Sequence, residues 1–91
     1  MPKQEKIMKQ INLGEILKEL TEKEIGGKIY DMRRLKRKTQ IQMAKALGIS
    51  TTQVQNYEHG VNRVSVSRLK EIANFLEIDI LELLPKSIKE N

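Results

Sequence analysis

The stretch QMAKALGISTTQVQNYEHG, residues 42–60, contains two short helical patterns on either side of a single glycine, Gly48. Their apolar side chains recur at helical spacing and are Met43, Ala44 and Leu47 in the first pattern and Val54 and Tyr57 in the second. One longer helix would bury the same side chains and leave fewer backbone N–H and C=O groups unpaired at helix ends. The break therefore indicates that the second segment is held away from the body of the protein.

Sequence signals for helix starts and stops bound both segments. Thr39 and Ser50 are N-cap residues, and each is followed three positions later by glutamine, which is a capping-box pattern. Gly48 can adopt the left-handed backbone that a sharp turn requires. Two helices joined by three or four residues around a glycine form a helix-turn-helix, in which the first helix supports the second.

Three further helices and an N-terminal extension are predicted around this pair. Residues 28–37 form helix one on an apolar stripe of Ile29, Met32 and Leu35. Ser65 caps a fourth helix whose inner face is Leu69, Ile72, Ala73 and Leu76, and Asp79 caps a short fifth helix over residues 80–84. Residues 1–24 are predicted to be an extension with one or two helices, residues 25–85 the main domain, and residues 86–91 a tail. The class is all-α.

The positive charge is concentrated in one part of the chain. The formal net charge of the protein is +5, and residues 28–45 carry seven basic side chains against a single acidic one, Asp31. The last twenty-one residues are acidic overall. This distribution is typical of a surface that faces a polyanion, although a solvated lysine-rich face would give the same pattern.

The composition argues against several classes of protein. There are no cysteines, so disulfides and thiolate metal sites are excluded, and the single histidine, His59, has no partner for metal binding or catalysis. We therefore expect no enzyme, no cofactor and no metal. No apolar run approaches the ~20 residues of a membrane span, and residues 1–10 lack a signal-peptide pattern, so a cytoplasmic protein is expected.

The outer face of helix three is polar and uncharged. When Val54 and Tyr57 point inward, the outward side chains are those of Thr51, Thr52, Gln55 and Asn56, with Gln53 at the edge. A solvated helix face usually carries lysine and glutamate. Amides and hydroxyls can both donate and accept hydrogen bonds, which is the chemistry needed to read base edges in a DNA major groove.

Residues 25–85 resemble the Cro/C1-type helix-turn-helix regulators, also called the xenobiotic-response-element family. The residues that carry the resemblance are TQIQMAKALGIS, QVQNYEHG and SVSRLKEIANFLEIDILELL, in the order and spacing of that family. The resemblance implies a five-helix, lambda-repressor-like DNA-binding domain. It also implies a transcriptional regulator, with repression the favoured mode, in which residues 51–58 read the major groove of double-stranded DNA.

Roles for individual residues follow from the same resemblance. Thr51, Thr52, Gln55 and Asn56 match base-contacting positions, and Gln40, Gln53, Asn62 and Arg63 match phosphate-contacting positions. Glu58 matches an acidic position with a structural role. Arg37 and Lys38 depart from the family, which commonly has glycine and leucine there, so helix one is expected to extend further and the lysine stem to replace a core contact.

The resemblance also implies a homodimer, because one protomer covers only a few base pairs. The dimer surface is either helix five, with Ile80, Leu83 and Leu84, or the N-terminal extension. Two alternative functions remain at this point. The protein could be an antitoxin that binds both DNA and a toxin partner, or a protein-interaction module on the same fold.

Overall fold

The computed structural model describes residues 13–85, which form four α-helices followed by one 3-10 turn. The helices are α1 (Leu13–Leu35), α2 (Gln40–Leu47), α3 (Thr51–Glu58) and α4 (Val66–Leu76), and the 3-10 turn is Ile80–Leu83. No strand occurs within residues 13–85, which confirms the all-α class. The predicted fifth helix is a single 3-10 turn. The predictions for residues 1–12 and 86–91 lie outside the described residues.

The prediction for helix one was wrong at both ends. α1 begins at Leu13, not near Lys28, and it continues without interruption across residues 24 and 25. Its amino-terminal part is rich in leucine, lysine and glutamate, which are strong helix formers and compensate for the glycines within it. The helix ends at Leu35 and does not extend past Arg37, because Arg37 adopts a left-handed backbone with φ of 57°.

The inner stripe of α1 also differs from the predicted one. Ile29 is fully buried, but Leu35 is 70% exposed, and Arg33 occupies the buried position in its place. Each residue advances about 100° around a helix, so position i+4 lies about 40° from Ile29 and position i+6 about 120° away. The buried stripe of α1 therefore includes a charged residue, Arg33.

The core lies where α1, α2, α3 and α4 meet the 3-10 turn. Met43, Val54, Ile72 and Leu83 are completely buried within it, together with Ile29. The predicted inner faces of α2, α3 and α4 are confirmed, with Leu47 only partly buried. Leu83 belongs to this core and is not available for a dimer surface, whereas its neighbour Leu81 is 51% exposed.

A glycine in α1 brings that helix against the end of α3. A β-carbon built on Gly26 would lie 2.3 Å from the carbonyl oxygen of Tyr57 and 2.7 Å from that of Glu58. Both neighbours are backbone atoms, so they cannot move aside as a flexible side chain could. α1 can therefore pass this close to the carboxyl end of α3 only with glycine at this position.

Two neighbouring glycines provide a matched test of this contact. Gly26→Ala is expected to lower the free energy of unfolding by about 1–3 kcal/mol, because the added methyl group overpacks the α1–α3 contact. Gly27→Ala places its β-carbon in open space and should raise the free energy of unfolding by roughly 0.5–1 kcal/mol through helix propensity. Urea unfolding followed by circular dichroism measures both. Equal effects would show that the contact does not constrain the helix.

Candidate nucleic-acid interface

Side-chain caps and a left-handed glycine fix the turn between α2 and α3. The Thr39 hydroxyl accepts a hydrogen bond from the Gln42 backbone N–H, and the Gln42 side chain accepts one from the Thr39 N–H, so the predicted capping box is present. Gly48 has φ of 69°, as the sharp turn requires. Ser50 caps α3 through the Gln53 N–H, without a reciprocal bond from the Gln53 side chain.

α3 buries one side and presents the other. Val54, Tyr57 and Glu58 are buried, while Thr52 and Gln55 are exposed and Thr51, Gln53 and Asn56 are half-buried. The predicted base-contacting residues therefore share one surface of α3. Of the predicted phosphate-contacting residues, Gln40 is half-buried at the start of α2, and Asn62 and Arg63 are exposed in the loop after α3.

The buried side of α3 is attached to α1 by an ion pair. The Arg33 Nε donates to Glu58 Oε2 at 2.6 Å and its Nη2 donates to Glu58 Oε1 at 3.1 Å. The Arg33 Nη1 also donates to the carbonyl oxygen of Lys38 at 2.8 Å. The Arg33 side chain is 10% exposed and that of Glu58 only 1%. A charged pair at this depth is tolerated because each group is paired and hydrogen-bonded.

Gln40 connects this ion pair to the outer face of α3. Its side-chain Nε2 donates to Glu58 Oε1 at 3.0 Å. Its Oε1 accepts a hydrogen bond from Gln55 Nε2 at 3.3 Å. Gln40, which was predicted to contact a phosphate, and Gln55, which was predicted to contact a base, are therefore in direct contact.

A basic cleft adjoins the amino-terminal ends of α2 and α3. It has a volume of about 660 Å³, and its basic lining side chains are Arg33, Arg34, Arg37 and Lys38. Gln40 and Thr51, one from each group of predicted contacts, line the same cleft. The Arg34 guanidinium lies over the Tyr30 ring, 5.4 Å from its centre, and donates to the Tyr30 hydroxyl at 2.6 Å. This cation is thus held in place at the edge of the cleft.

Arg63 lies at the opposite end of α3. It lines a groove of about 510 Å³ together with His59 and with Lys18, Lys23 and one acidic residue, Glu22, of α1. His59 is the exposed C-cap of α3. Basic side chains are therefore found beyond both ends of the polar face of α3, and the second group includes residues of the extended α1.

Sequence reasoning missed several residues of this site. It counted Arg33 as one of the surface charges, although the side chain is buried, and it placed no partner on Glu58. The signal available was an arginine one helical turn after the buried Ile29, but one sequence does not reveal which acidic residue meets it. The Lys38 ammonium lies 5.8 Å from the centre of the Phe75 ring, and the packing of its stem stays a prediction.

The described part of the chain, residues 13–85, contains no group of three or more histidine, cysteine or acidic side chains arranged to hold a metal ion. None of its helices combines the length and apolar character needed to cross a membrane.

Comparison with known proteins assigns the class. Residues 29–83 match the helix-turn-helix family, over more than half of the chain, and the matched region includes α2, the Gly48 turn and α3. The chain belongs to this family, in its Cro/C1-type branch.

The related proteins are regulators of this type. An HTH-type transcriptional regulator of Sinorhizobium fredii is 39% identical over 54 residues, or 59% of this chain and 38% of that protein. One from Rickettsia conorii is 41% identical over 56 residues, or 62% and 45%. The cryptic phage CTXphi transcriptional repressor RstR of Vibrio cholerae is 41% identical over 59 residues, or 65% and 53%. The chain thus matches about half of these relatives' length or less.

Two solved structures have the same fold. The restriction-modification controller protein C.AhdI from Aeromonas hydrophila superposes with a TM-score of 0.64 at 26% identity, covering 68% of this chain and 94% of that one. The DNA-binding domain of BldD superposes with a TM-score of 0.65 at 28% identity, covering 71% and 94%. The predicted lambda-repressor-like fold class is confirmed.

The ion pair can be tested by removing one charge. Glu58→Gln leaves the buried Arg33 guanidinium without a counter-charge and is expected to lower the free energy of unfolding by about 3–5 kcal/mol. The double variant Arg33→Met with Glu58→Leu removes both charges and should recover most of that loss. Both are measured by urea unfolding.

The exposed pair of Arg68 and Glu71 is the matched control. Their side chains are 25% and 52% exposed, and the Arg68 Nη1 lies 3.2 Å from Glu71 Oε1. Glu71→Gln should change the free energy of unfolding by less than about 1 kcal/mol, because exposed ion pairs contribute little. Similar losses for Glu58→Gln and Glu71→Gln would contradict a structural role for the buried pair.

Proposed function

We propose that the protein is a transcriptional regulator, with repression its mode of action, that binds specific sequences of double-stranded DNA with α3 in the major groove. The observation that carries this proposal is the uncharged polar face of α3 with basic groups beyond both of its ends. The membership of the helix-turn-helix family and the likeness to the DNA-binding domain of BldD support it.

The basic groups and the polar face of α3 have different roles in the proposed binding. Contacts to phosphate supply most of the affinity and fix the position of the protein on the duplex, and contacts to base edges supply discrimination. Gln40, Gln53, Asn62 and Arg63 are the proposed phosphate contacts. The basic cleft adds Arg37 and Lys38 at the same end of α3 as Gln40.

The composition of the α3 face favours A·T base pairs. Its exposed residues include no arginine or lysine, which make the commonest contact to guanine. Side-chain amides form paired hydrogen bonds with adenine, and threonine methyl groups suit the methyl group of thymine. We therefore propose an operator half-site rich in A·T pairs opposite Thr51, Thr52 and Gln55, with Asn56 a further base contact.

Two protomers are proposed to bind a pseudo-palindromic operator, with half-sites about 34 Å apart. Ile80 and Leu84 are half-buried and Leu81 is exposed, so the 3-10 turn retains apolar surface for such a dimer although Leu83 does not contribute.

Binding-site selection on random duplexes, followed by affinity measurements on the selected site, tests the proposed function. Gln55→Ala is expected to relax the preference at one base pair, at a cost of about 1–3 kcal/mol on the selected site and little on random DNA. Arg63→Ala should weaken binding to all duplexes and reduce the slope of log K against log salt concentration by about 1. Failure to select any duplex, or a guanine-dominated core, would contradict the proposal.

Arg37 offers a second test, because its left-handed backbone disfavours a side chain. Arg37→Gly is expected to weaken binding to every duplex and to reduce the salt dependence, since it removes a cation from the basic cleft. The same change should raise the free energy of unfolding by up to about 1 kcal/mol, because glycine adopts this conformation without steric cost. Lys70→Ala, on α4 outside the cleft, is the control. Unchanged DNA affinity in Arg37→Gly would exclude Arg37 from the interface.

A further inference from the structure

The amino-terminal part of α1 precedes the region that matches the helix-turn-helix family. That region begins at residue 29, whereas α1 begins at Leu13, so about four turns of helix precede it. Lys18 and Lys23 belong to these turns, and both residues are exposed. A role for these two lysines is therefore not implied by the family match.

The groove at the carboxyl end of α3 brings these lysines beside residues of the matched region. Lys18 and Lys23 line it from α1, and His59 and Arg63 line it from the end of α3 and the loop that follows. Glu22 of α1 adds one carboxylate, which leaves the groove with an excess of basic side chains. The positive charge of the groove therefore comes from two separate parts of the chain.

A backbone contact fixes the position of Lys23 relative to this loop. Gly60 has φ of 72°, and a β-carbon built on it would lie 2.6 Å from the Cα of Lys23 and 2.9 Å from its backbone nitrogen. Neither backbone atom can move aside as the end of a flexible side chain could. The point at which the Lys23 side chain leaves α1 is thus set by the chain segment that leads from α3 to Arg63.

Duplex DNA is the polyanion that this groove is placed to bind. Arg63 is a proposed phosphate contact, and the groove continues from it onto α1, at the end of α3 opposite to the basic cleft. Lys18 and Lys23 are five residues apart, which separates them by about 7.5 Å along the helix. A lysine ammonium binds phosphate as a point charge on a flexible stem, so it needs proximity and no fixed geometry. The two lysines can therefore contact the DNA backbone beyond the phosphate that Arg63 reaches.

We propose that Lys18 and Lys23 of α1 form a second phosphate-binding surface with Arg63, which extends the contact with DNA beyond the region that matches the family. This inference rests on the proposed function and adds to it a part of the chain that the family match does not include. The surface supplies affinity and no discrimination between bases, because phosphates carry no sequence information directly. Lysines that are merely solvated would leave the affinity for DNA unchanged.

Charge changes of opposite sign test this surface on the full-length chain. Lys18→Ala and Lys23→Ala should each lower the affinity for the selected operator and for random duplexes by about threefold to tenfold at physiological salt. Each should also reduce the slope of log K against log salt concentration by about 1, and the double variant by about 2. Glu22→Gln removes a negative charge from the groove and should raise the affinity for both kinds of duplex. Lys70→Ala, on α4 outside the groove, is the control for the loss of one cation and should leave the slope unchanged.

The contacted phosphates can be identified by replacing them one at a time with uncharged methylphosphonates in the selected duplex. In the wild-type protein, a replacement at a contacted phosphate should lower the affinity about as much as loss of the lysine does. In the double lysine variant the same replacement should have little further effect, because the partner charge is already absent. Coupling at phosphates other than the one coupled to Arg63 supports the inference.

The outcomes separate this inference from the proposed function. Lysine variants with the affinity and salt slope of Lys70→Ala would overturn the inference and leave the proposed function standing. A wild-type protein with no preference for any duplex over random DNA would overturn the proposed function, and the inference with it. Urea unfolding midpoints close to that of the wild type in every variant exclude loss of the fold as the cause of weaker binding.

Discussion

The buried ion pair between Arg33 and Glu58 is the interaction on which the rest of the site depends. It joins α1 to the carboxyl end of α3, and through the Lys38 carbonyl it also holds the chain that leads into α2. Its desolvation makes it a poor source of net stability, but its three hydrogen bonds join Arg33 both to Glu58 and to the carbonyl oxygen of Lys38. The three helices that carry the proposed DNA-binding surface are therefore positioned relative to this one pair.

Much of the fold follows from local sequence. The caps at Thr39, Ser50 and Ser65, the left-handed glycine at 48 and the apolar periodicity of α4 were read correctly because each feature depends on residues no more than about one turn apart. The extent of α1 was not predicted, because three glycines and a dense run of charges obscure a helix that tertiary contacts support. The starts of α2, α3 and α4 were predicted from their caps, whereas α1, for which no cap was identified, was placed wrongly.

The candidate site, like the fold, could be predicted only in part from the sequence. The outward face of α3 could be predicted, because burying Val54 and Tyr57 leaves only one face for the polar residues. The pairing of Arg33 with Glu58 could not, because those residues are 25 positions apart and nothing in one sequence connects them. The same is true of Gln40 and Gln55, whose contact appears only when α2 and α3 are placed side by side.

The uninterrupted α1 contacts the carboxyl end of α3 and the glycine that follows it. From Leu13 to Lys23 the helix extends about 15 Å before the backbone of Lys23 meets Gly60, where an added β-carbon would lie 2.6 Å away. A few residues later Gly26 lies against the last carbonyl groups of α3, so α1 and α3 are in direct backbone contact there. A change in the tilt of α1 would therefore have to shift the carboxyl end of α3 with it, because these two contacts leave no room for the helices to move closer together.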